Sequence, residues 1–328
     1  LGYHSAYLGI KTEKEIIMLV NRLISAIIEK ESPIVMGLDP RPNQIPASIV
    51  EVAKRQFENP VEAMAEAIWL FNKGLIDAAV SIVPAVKPQI AFYEALGIPG
   101  LVAYHKTCEY AKKQGLIVVA DAKRGDIGTT SKAYADAFLG TTDVWGMAYE
   151  AFSSDYLTVN PYLGTDCLNE FATNMDANDK GIFVLVKTSN KSSGELQDLQ
   201  IDGVTLYEKV AQIVEKLSSV RTGSYGYSNM GAVVGATYPE QGIALRKSLK
   251  STYFLVPGYG AQGGTGKDIV GCFDDNGLGA IVNSSRGITF AFEEKQYSDD
   301  YQIAAQQAIE TMKNDINSSL KAVGKWYK

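Results

Sequence analysis

Residues 116 to 131 read Leu116-Ile117-Val118-Val119-Ala120-Asp121-Ala122-Lys123-Arg124-Gly125-Asp126-Ile127-Gly128-Thr129-Thr130-Ser131. Five apolar residues followed at once by charges of alternating sign read as a buried strand whose carboxyl end carries chemistry. Side chains two apart on a strand share a face, so Asp121 and Lys123 are expected together, while Gly125 lets the chain turn and take Asp126 onto the next loop. Opposite charges about 4 Å apart attract by roughly 4 kcal/mol at an effective dielectric near 20, enough to hold such an array ionised. A structural ion pair at a strand end has the same pattern, so this stretch alone leaves both readings open.

The same grammar recurs along the chain. β-Branched runs bounded by turn residues occur at Pro33 to Asp39, Ile82 to Pro88, Leu116 to Ala122, Tyr156 to Asn160, Gly181 to Lys187, Met230 to Gly235, Tyr253 to Pro257 and Gly279 to Asn283. Helical spacing lies between them at Val61 to Val80, Gly100 to Gln114, Thr129 to Leu139, Thr205 to Ser218 and Pro239 to Leu249, and Tyr301 to Val323 closes the chain. Eight βα units predict an α/β fold of the (β/α)8 TIM barrel type in a single domain over 13–328, with a doubly wound sheet as the alternative. Long loops are expected near 40–60 and 190–204, and the segments after the fourth and seventh strands show no clear period. Ile17, Val20, Ile24, Ile27 and Ile28 keep helical spacing between polar residues, which favours an amphipathic helix capping the barrel over a signal peptide. Residues 1–12 show no period and are read as a tag or extension.

Composition removes whole classes of function. A net charge of -6 argues against nucleic acid or an anionic membrane as the main partner. Only His4 and His105 occur, so a zinc site or a histidine triad has almost no material. Cys108, Cys167 and Cys272 are widely spaced without C-x-x-C, which reads as buried thiols in a reducing, cytoplasmic compartment. No run of eighteen apolar residues is present.

In a barrel the strand ends form one mouth, and the polar residues there are Asp39, Lys87 with Gln89, Asp121 with Lys123, Asn160, Lys187 with Thr188 and Ser189, Gln262 and Arg286. Pro257-Gly258-Tyr259-Gly260-Ala261-Gln262-Gly263-Gly264 contains a formal G-x-G-x-x-G, but six strands precede it, which does not fit a dinucleotide fingerprint. Gly264 to Lys267 fails the Walker pattern as well. Its glycines still let backbone N–H groups approach an anion, and Arg286 after the eighth strand adds a planar double donor, so phosphate binding is the favoured reading. Lys87 reads best as a charge partner of Asp121, with Schiff-base nucleophile or surface lysine as the other readings. Asp39 is either a turn carboxylate or a contact for a ribose hydroxyl. Thr188 and Ser189 either cap the following segment or hydrogen-bond a substrate edge.

From about Ile34 to Gly287 the chain resembles the orotidine 5′-phosphate decarboxylase family, most of all its longer bacterial form. The carrying motifs are Gly-Leu-Asp-Pro at 37–40, Lys-Pro-Gln at 87–89, Asp-Ala-Lys-Arg-Gly-Asp-Ile-Gly-Thr-Thr at 121–130, Lys-Thr-Ser-Asn at 187–190, the glycine-rich stretch at 257–264 and Arg-Gly-Ile at 286–288. D-x-K-x-x-D in its strand-three context is very specific; the others are weak singly but stand in order. The resemblance implies the last step of UMP synthesis, carried out without a cofactor or metal by a homodimer with shared active sites. It implies Lys87, Asp121 and Lys123 from one subunit and Asp126, with Ile127 and Thr130, from its partner. It further implies Asp39 and Lys87 on the ribose, Gln89 in the substrate site, Ser189 or Thr188 and Gln262 on the pyrimidine, Pro257 against the base, and Gln262, Gly263 and Arg286 around the phosphate. Ser285 departs from the pattern, standing where glycine commonly precedes the arginine. Loss of CO2 from C6 of orotidylate leaves a localised carbanion, for which Lys123 is the expected cation and proton donor. Two rival readings are a metal-using sugar-phosphate decarboxylase or epimerase on the same barrel, and a non-catalytic phosphate-ligand sensor.

Overall fold

The computed structural model describes residues 18–260 and 263–327. Eight parallel strands close a barrel: β1 (Ile34–Leu38), β2 (Ala85–Pro88), β3 (Ile117–Arg124), β4 (Tyr156–Val159), β5 (Gly181–Lys187), β6 (Met230–Val234), β7 (Phe254–Val256) and β8 (Ala280–Ser284). Each strand pairs with its chain neighbour, and β8 closes on β1 with Ile34 opposite Val282. Closure rules out the doubly wound alternative, since an open sheet would leave two unpaired edges.

Alternation along the strands divides the core in two. Ile34, Met36, Val86, Val118, Ala120, Leu157, Val184 and Val282 face outward and pack under the helices. Val35, Ala85, Ile117, Val119, Tyr156, Phe183, Tyr253 and Ile281 face the barrel interior. Both sets are apolar, which is why these strands read as continuous hydrophobic runs.

The amphipathic segment near the start forms α1 (Leu19–Lys30), and its Leu19, Val20, Leu23, Ile24 and Ile27 join the interior set. The helix is tied to the amino-terminal ends of the strands: Leu19 N donates to Asp179 Oδ1 at 2.8 Å just before β5, and Val20 N to Asn229 Oδ1 at 2.8 Å just before β6. It therefore caps the bottom of the barrel and leaves the opposite end open. Ile17 and the segment 1–12 lie outside the described residues.

The outer helices are α2 (Ala47–Lys54), α3 (Pro60–Ala79), α4 (Gly97–Lys113), α5 (Gly128–Leu139), α6 (Thr165–Asn178), α7 (Leu206–Ser218), α8 (Pro239–Ser248) and α9 (Tyr301–Ala322). Side-chain caps coded in the sequence start α3, α7 and α9. Asn59 Oδ1 accepts from Val61 N with Pro60 behind it, Thr205 and Glu208 form a reciprocal capping box, and Asp300 accepts from Gln302 N and Ile303 N. The expected loop at 40–60 contains α2, and the unassigned segment after β4 is α6. After β7 the chain makes only a short helix, Gly266–Ile269. The long loop near 190–204 ends in a small hairpin, Gln200–Ile201 with Val204–Thr205, and a second hairpin, Thr142–Val144 with Met147–Tyr149, precedes β4. Among the described residues no helix is long and apolar enough to cross a membrane.

Candidate active site

At the open end, Asp121 stands between two ammonium groups. Lys87 Nζ donates to Asp121 Oδ2 at 2.7 Å and Lys123 Nζ to Oδ1 at 2.6 Å. Lys87 follows Ala85, and Asp121 follows Ile117 and Val119, on the interior-facing parity of their strands, so the apolar stack that fills the barrel ends in this charged layer. The Lys87 side chain is 5% exposed and that of Asp121 11%, whereas Lys123 is 46% exposed and open to the mouth.

Burial alone would raise the Asp121 pKa, but Lys87 and Lys123 outweigh it and hold the carboxyl well below the usual carboxylate range. For Lys87, burial works to lower the pKa and is outweighed by the charges of Asp121 and Asp39, leaving it above the ordinary lysine value. The Lys87–Asp121 pair is therefore ionised across the neutral range.

Asp121 and Lys123 meet as expected, but not by regular alternation. The pairing of β3 with β4 slips between Ala120, opposite Leu157, and Arg124, opposite Val159, so four steps on β3 face two on β4. Lys123 lies in this bulge at φ +46, a left-handed conformation that costs an L-residue roughly 1–2 kcal/mol. The bulge turns Arg124 away to pair with Glu94 at 2.8 Å.

The displaced amides find a partner that sequence reasoning missed. Thr158 of β4 is 1% exposed, and its Oγ1 accepts from Ala122 N at 3.0 Å and Lys123 N at 2.9 Å while donating to Asp121 Oδ1 at 3.0 Å. Its signal was present: Tyr156, Thr158 and Asn160 share one strand parity, so a hydroxyl points inward next to Asp121.

A pocket beside the charged layer is lined by Asp39, Arg41, Lys87, Asp121, Pro257, Tyr259, Asn283, Ser285, Arg286 and Phe290, among others. Asp39, Pro257 and Arg286 were expected there; Arg41, Tyr259, Asn283 and Phe290 were not. Asp39 and Asn283 line the pocket, and their Oδ1 atoms are buried without a hydrogen-bond donor among the described residues. Ser285 occupies the space that glycine leaves at Gly37, where an added Cβ would fall 1.8 Å from Ser285 Oγ. The serine departure is thus matched across β1 and β8.

The remaining expected residues are held by neighbours outside the lining of this pocket. Gln89 bridges to Asp121 along the sheet edge, but its Oε1 accepts from Ala91 N at 3.2 Å. Thr188 is clamped to its own loop: its amide donates to Gln197 Oε1, its Oγ1 accepts from Gln197 Nε2, and the hydroxyl donates to Asn190 Oδ1. Ser189 is half-buried beside Gly235, and its carbonyl accepts from Thr237 Oγ1. Lys187 is turned to Asp198 at 2.7 Å and packs over the Tyr238 ring. Gly263 N donates to Gly260 O at 2.7 Å, folding the glycine-rich loop on itself, and Gln262 lies outside the described residues. Asp126 accepts from Ile127 N and has no cationic partner among the described residues, while Ile127 is 58% exposed and Thr130 is exposed. Among the described residues no three His, Cys, Asp or Glu side chains converge into a metal-holding group, and both oxygens of Asp121 are taken by ammonium groups.

The family model described as "Orotidine 5'-phosphate decarboxylase / HUMPS family" matches residues 36–301. The chain belongs to this family. The match takes in seven strands of the barrel whole, all but the first two residues of β1, and every mouth residue named above. Within the orotidine 5′-phosphate decarboxylase / HUMPS family, the chain is 44% identical to the orotidine 5'-phosphate decarboxylase of Rhodopirellula baltica, over 92% of this chain and 98% of that one. It is 38% identical to the enzyme of the same name from Caldicellulosiruptor saccharolyticus, with the same coverage. Among solved structures it is similar to the putative orotidine-monophosphate-decarboxylase of Toxoplasma gondii, at 29% identity and a TM-score of 0.75, covering 92% of this chain and 97% of that one.

Proposed function

We infer that this chain decarboxylates orotidine 5′-phosphate to uridine 5′-phosphate and CO2. The observation that carries the reading is the Lys87–Asp121–Lys123 array at the barrel mouth, next to a pocket that holds Arg286. The named relatives and the family support it, and they favour neither the sugar-phosphate reading nor the sensor.

The array suits a reaction that leaves a lone pair in the ring plane at C6, where no π-system delocalises it. Such a charge needs a cation already in place, and Lys123 supplies one from the exposed side of Asp121. As the C6–CO2 bond breaks, its electron pair stays on C6, and the Lys123 ammonium gives that carbon a proton. Asp121, fixed on its far side by Lys87, aims the ammonium and faces the departing carboxylate. Asp39, whose buried Oδ1 has no donor among the described residues, takes a ribose hydroxyl together with Lys87. Arg286 grips the phosphate, with Arg41 in the same pocket as a second cation and Gly258 on the glycine-rich loop beside them. Pro257 packs against the base, and Ser189 reads its edge more readily than Thr188, whose hydroxyl is already committed. Gln89 holds the sheet edge under Asp121. Every group in this scheme is a protein side chain or backbone amide, and no cofactor takes part.

Asp126 completes the scheme in a homodimer, reaching the mouth of a second copy with Ile127 and Thr130. Its lack of a cationic partner among the described residues supports this, as do the apolar Ile127, Tyr162 and Leu163, which are 58%, 78% and 44% exposed on the neighbouring loops after β3 and β4. Mixing inactive K123A and D126A subunits tests the arrangement. Activity should return at one site in each mixed dimer, and no recovery, in mixtures shown to exchange subunits, would contradict a shared site.

A further inference from the structure

We propose that Thr158 is a positioning residue for the decarboxylation: its hydroxyl sets the β3 bulge and so aims both Asp121 and Lys123. The inference rests on the site assignment above and adds to it a residue that touches no substrate.

A hydroxyl has two acceptor sites and one proton. In Thr158 both acceptor sites are taken, one by the amide of Ala122 and one by the amide of Lys123. Its single proton then has one place to go, Asp121 Oδ1 at 3.0 Å. The hydroxyl can neither rotate nor reverse its polarity without leaving a buried donor unmet. One atom thus joins three consecutive residues of β3. It satisfies the two amides that the bulge strips of ladder partners, and it fixes the carboxylate oxygen that also receives Lys123 Nζ.

The left-handed backbone at Lys123 gives the arrangement its consequence. A regular β3 would pair its amides with β4 carbonyls and project residue 123 by simple alternation; the bulge re-aims that side chain instead. Because the Lys123 amide is bonded to Thr158, loss of the hydroxyl removes the partner that holds residue 123 in this conformation. Backbone and ammonium would then shift together. Thr158 does not line the pocket itself and touches it only through Asp121, whereas Arg41 and Arg286 stand on the loops after β1 and β8, so binding through the phosphate should be spared.

The test compares T158V, which keeps the shape and removes the hydroxyl, with T158S, which keeps the hydroxyl and removes the methyl. With orotidine 5′-phosphate, T158V should lose about 100-fold in kcat, the scale expected for reacting groups displaced by about 1 Å, while KM moves less than about threefold. T158S should retain at least about half of wild-type kcat. Full kcat in folded T158V, or a rise in KM at unchanged kcat, would overturn the proposal. So would an equal loss in T158S, because the methyl and not the hydroxyl would then be what matters. If T158V does not fold, T158S decides alone: near-wild-type kcat upholds the hydroxyl, and a loss of more than tenfold removes it. K123A in the same assay separates the two levels. An inactive K123A beside an unimpaired T158V sinks only this inference, whereas an active K123A sinks the site assignment beneath it.

Discussion

Replacing Asp121 by asparagine is the most informative single perturbation for the stability of the site. In the wild type Lys87 is buried and its main partner lies at 2.7 Å. D121N leaves that ammonium without an ion-pair partner and with only the more distant charge of Asp39, and removing one partner of a buried pair costs about 3–5 kcal/mol. For 328 residues at about 2.1 cal/mol/K each, the unfolding entropy is about 0.7 kcal/mol/K, so Tm at pH 7 should fall by about 4–7 °C. The pH dependence carries the sharper signature. In the wild type the lowered Asp121 pKa contributes stability that is present above the ordinary carboxylate value and lost only as pH falls through the folded one. The raised Lys87 pKa contributes stability that is present below the ordinary lysine value and lost as pH rises through the folded one. Between about pH 4 and 10 the pair therefore adds no slope. In D121N burial, already the largest single influence on Lys87, is opposed by the charge of Asp39 alone, so its proton affinity drops below that of the unfolded chain and stability rises with pH. Differential scanning fluorimetry of both proteins should show the Tm gap narrowing from pH 7 to pH 9.5. A gap below 1 °C at pH 7, or one that stays constant to pH 9.5, would refute the reasoning.

Two further outcomes follow from the same structure. Arg286 is exposed at the pocket wall, and its hydrogen bonds to a charged phosphate are worth about 1.5–3 kcal/mol, so R286A should raise KM for orotidylate by roughly 10–150-fold in steady-state assays, with the melting temperature unchanged. Cys108, Cys167 and Cys272 are at most 2% exposed, and burial pushes the thiols of Cys108 and Cys272 up to about 12; a thiol-reactive dye should therefore label the native protein at fewer than one site and all three after denaturation.

The barrel was legible because its physics is local. Parallel strands buried on both faces must be runs of β-branched residues, and all eight stood out against polar helices with coded caps. What stayed hidden depended on context. α2 is Ala-Ser-Ile-Val-Glu-Val-Ala-Lys, a β-branched octamer with only Ala53 buried, which carries no helical stripe. The 142–149 hairpin turns at Trp145 and Gly146, both at positive φ, and tryptophan gives no warning of a turn usually made by Asn-Gly. Asp121, Lys87 and Arg286 were readable as charges at strand ends. Thr158 was legible only as an inward-facing hydroxyl, because its three bonds exist only once β3 bulges against β4. Arg41 and Asn283 share that fate: one lies in a loop and one at a strand end, and only the closed barrel brings them to one pocket.

The central claim is that the Lys123 ammonium, held against Asp121, meets the charge left at C6 and protonates it. Single-turnover decarboxylation of orotidine 5′-phosphate by K123A, followed as loss of orotate absorbance beside a measurement of uridine 5′-phosphate affinity, tests it most directly. General-acid and electrostatic contributions together predict a rate loss of at least about 10⁴-fold, with product affinity within about threefold of wild type. A K123A protein that turns over within tenfold of the wild-type rate would contradict the account.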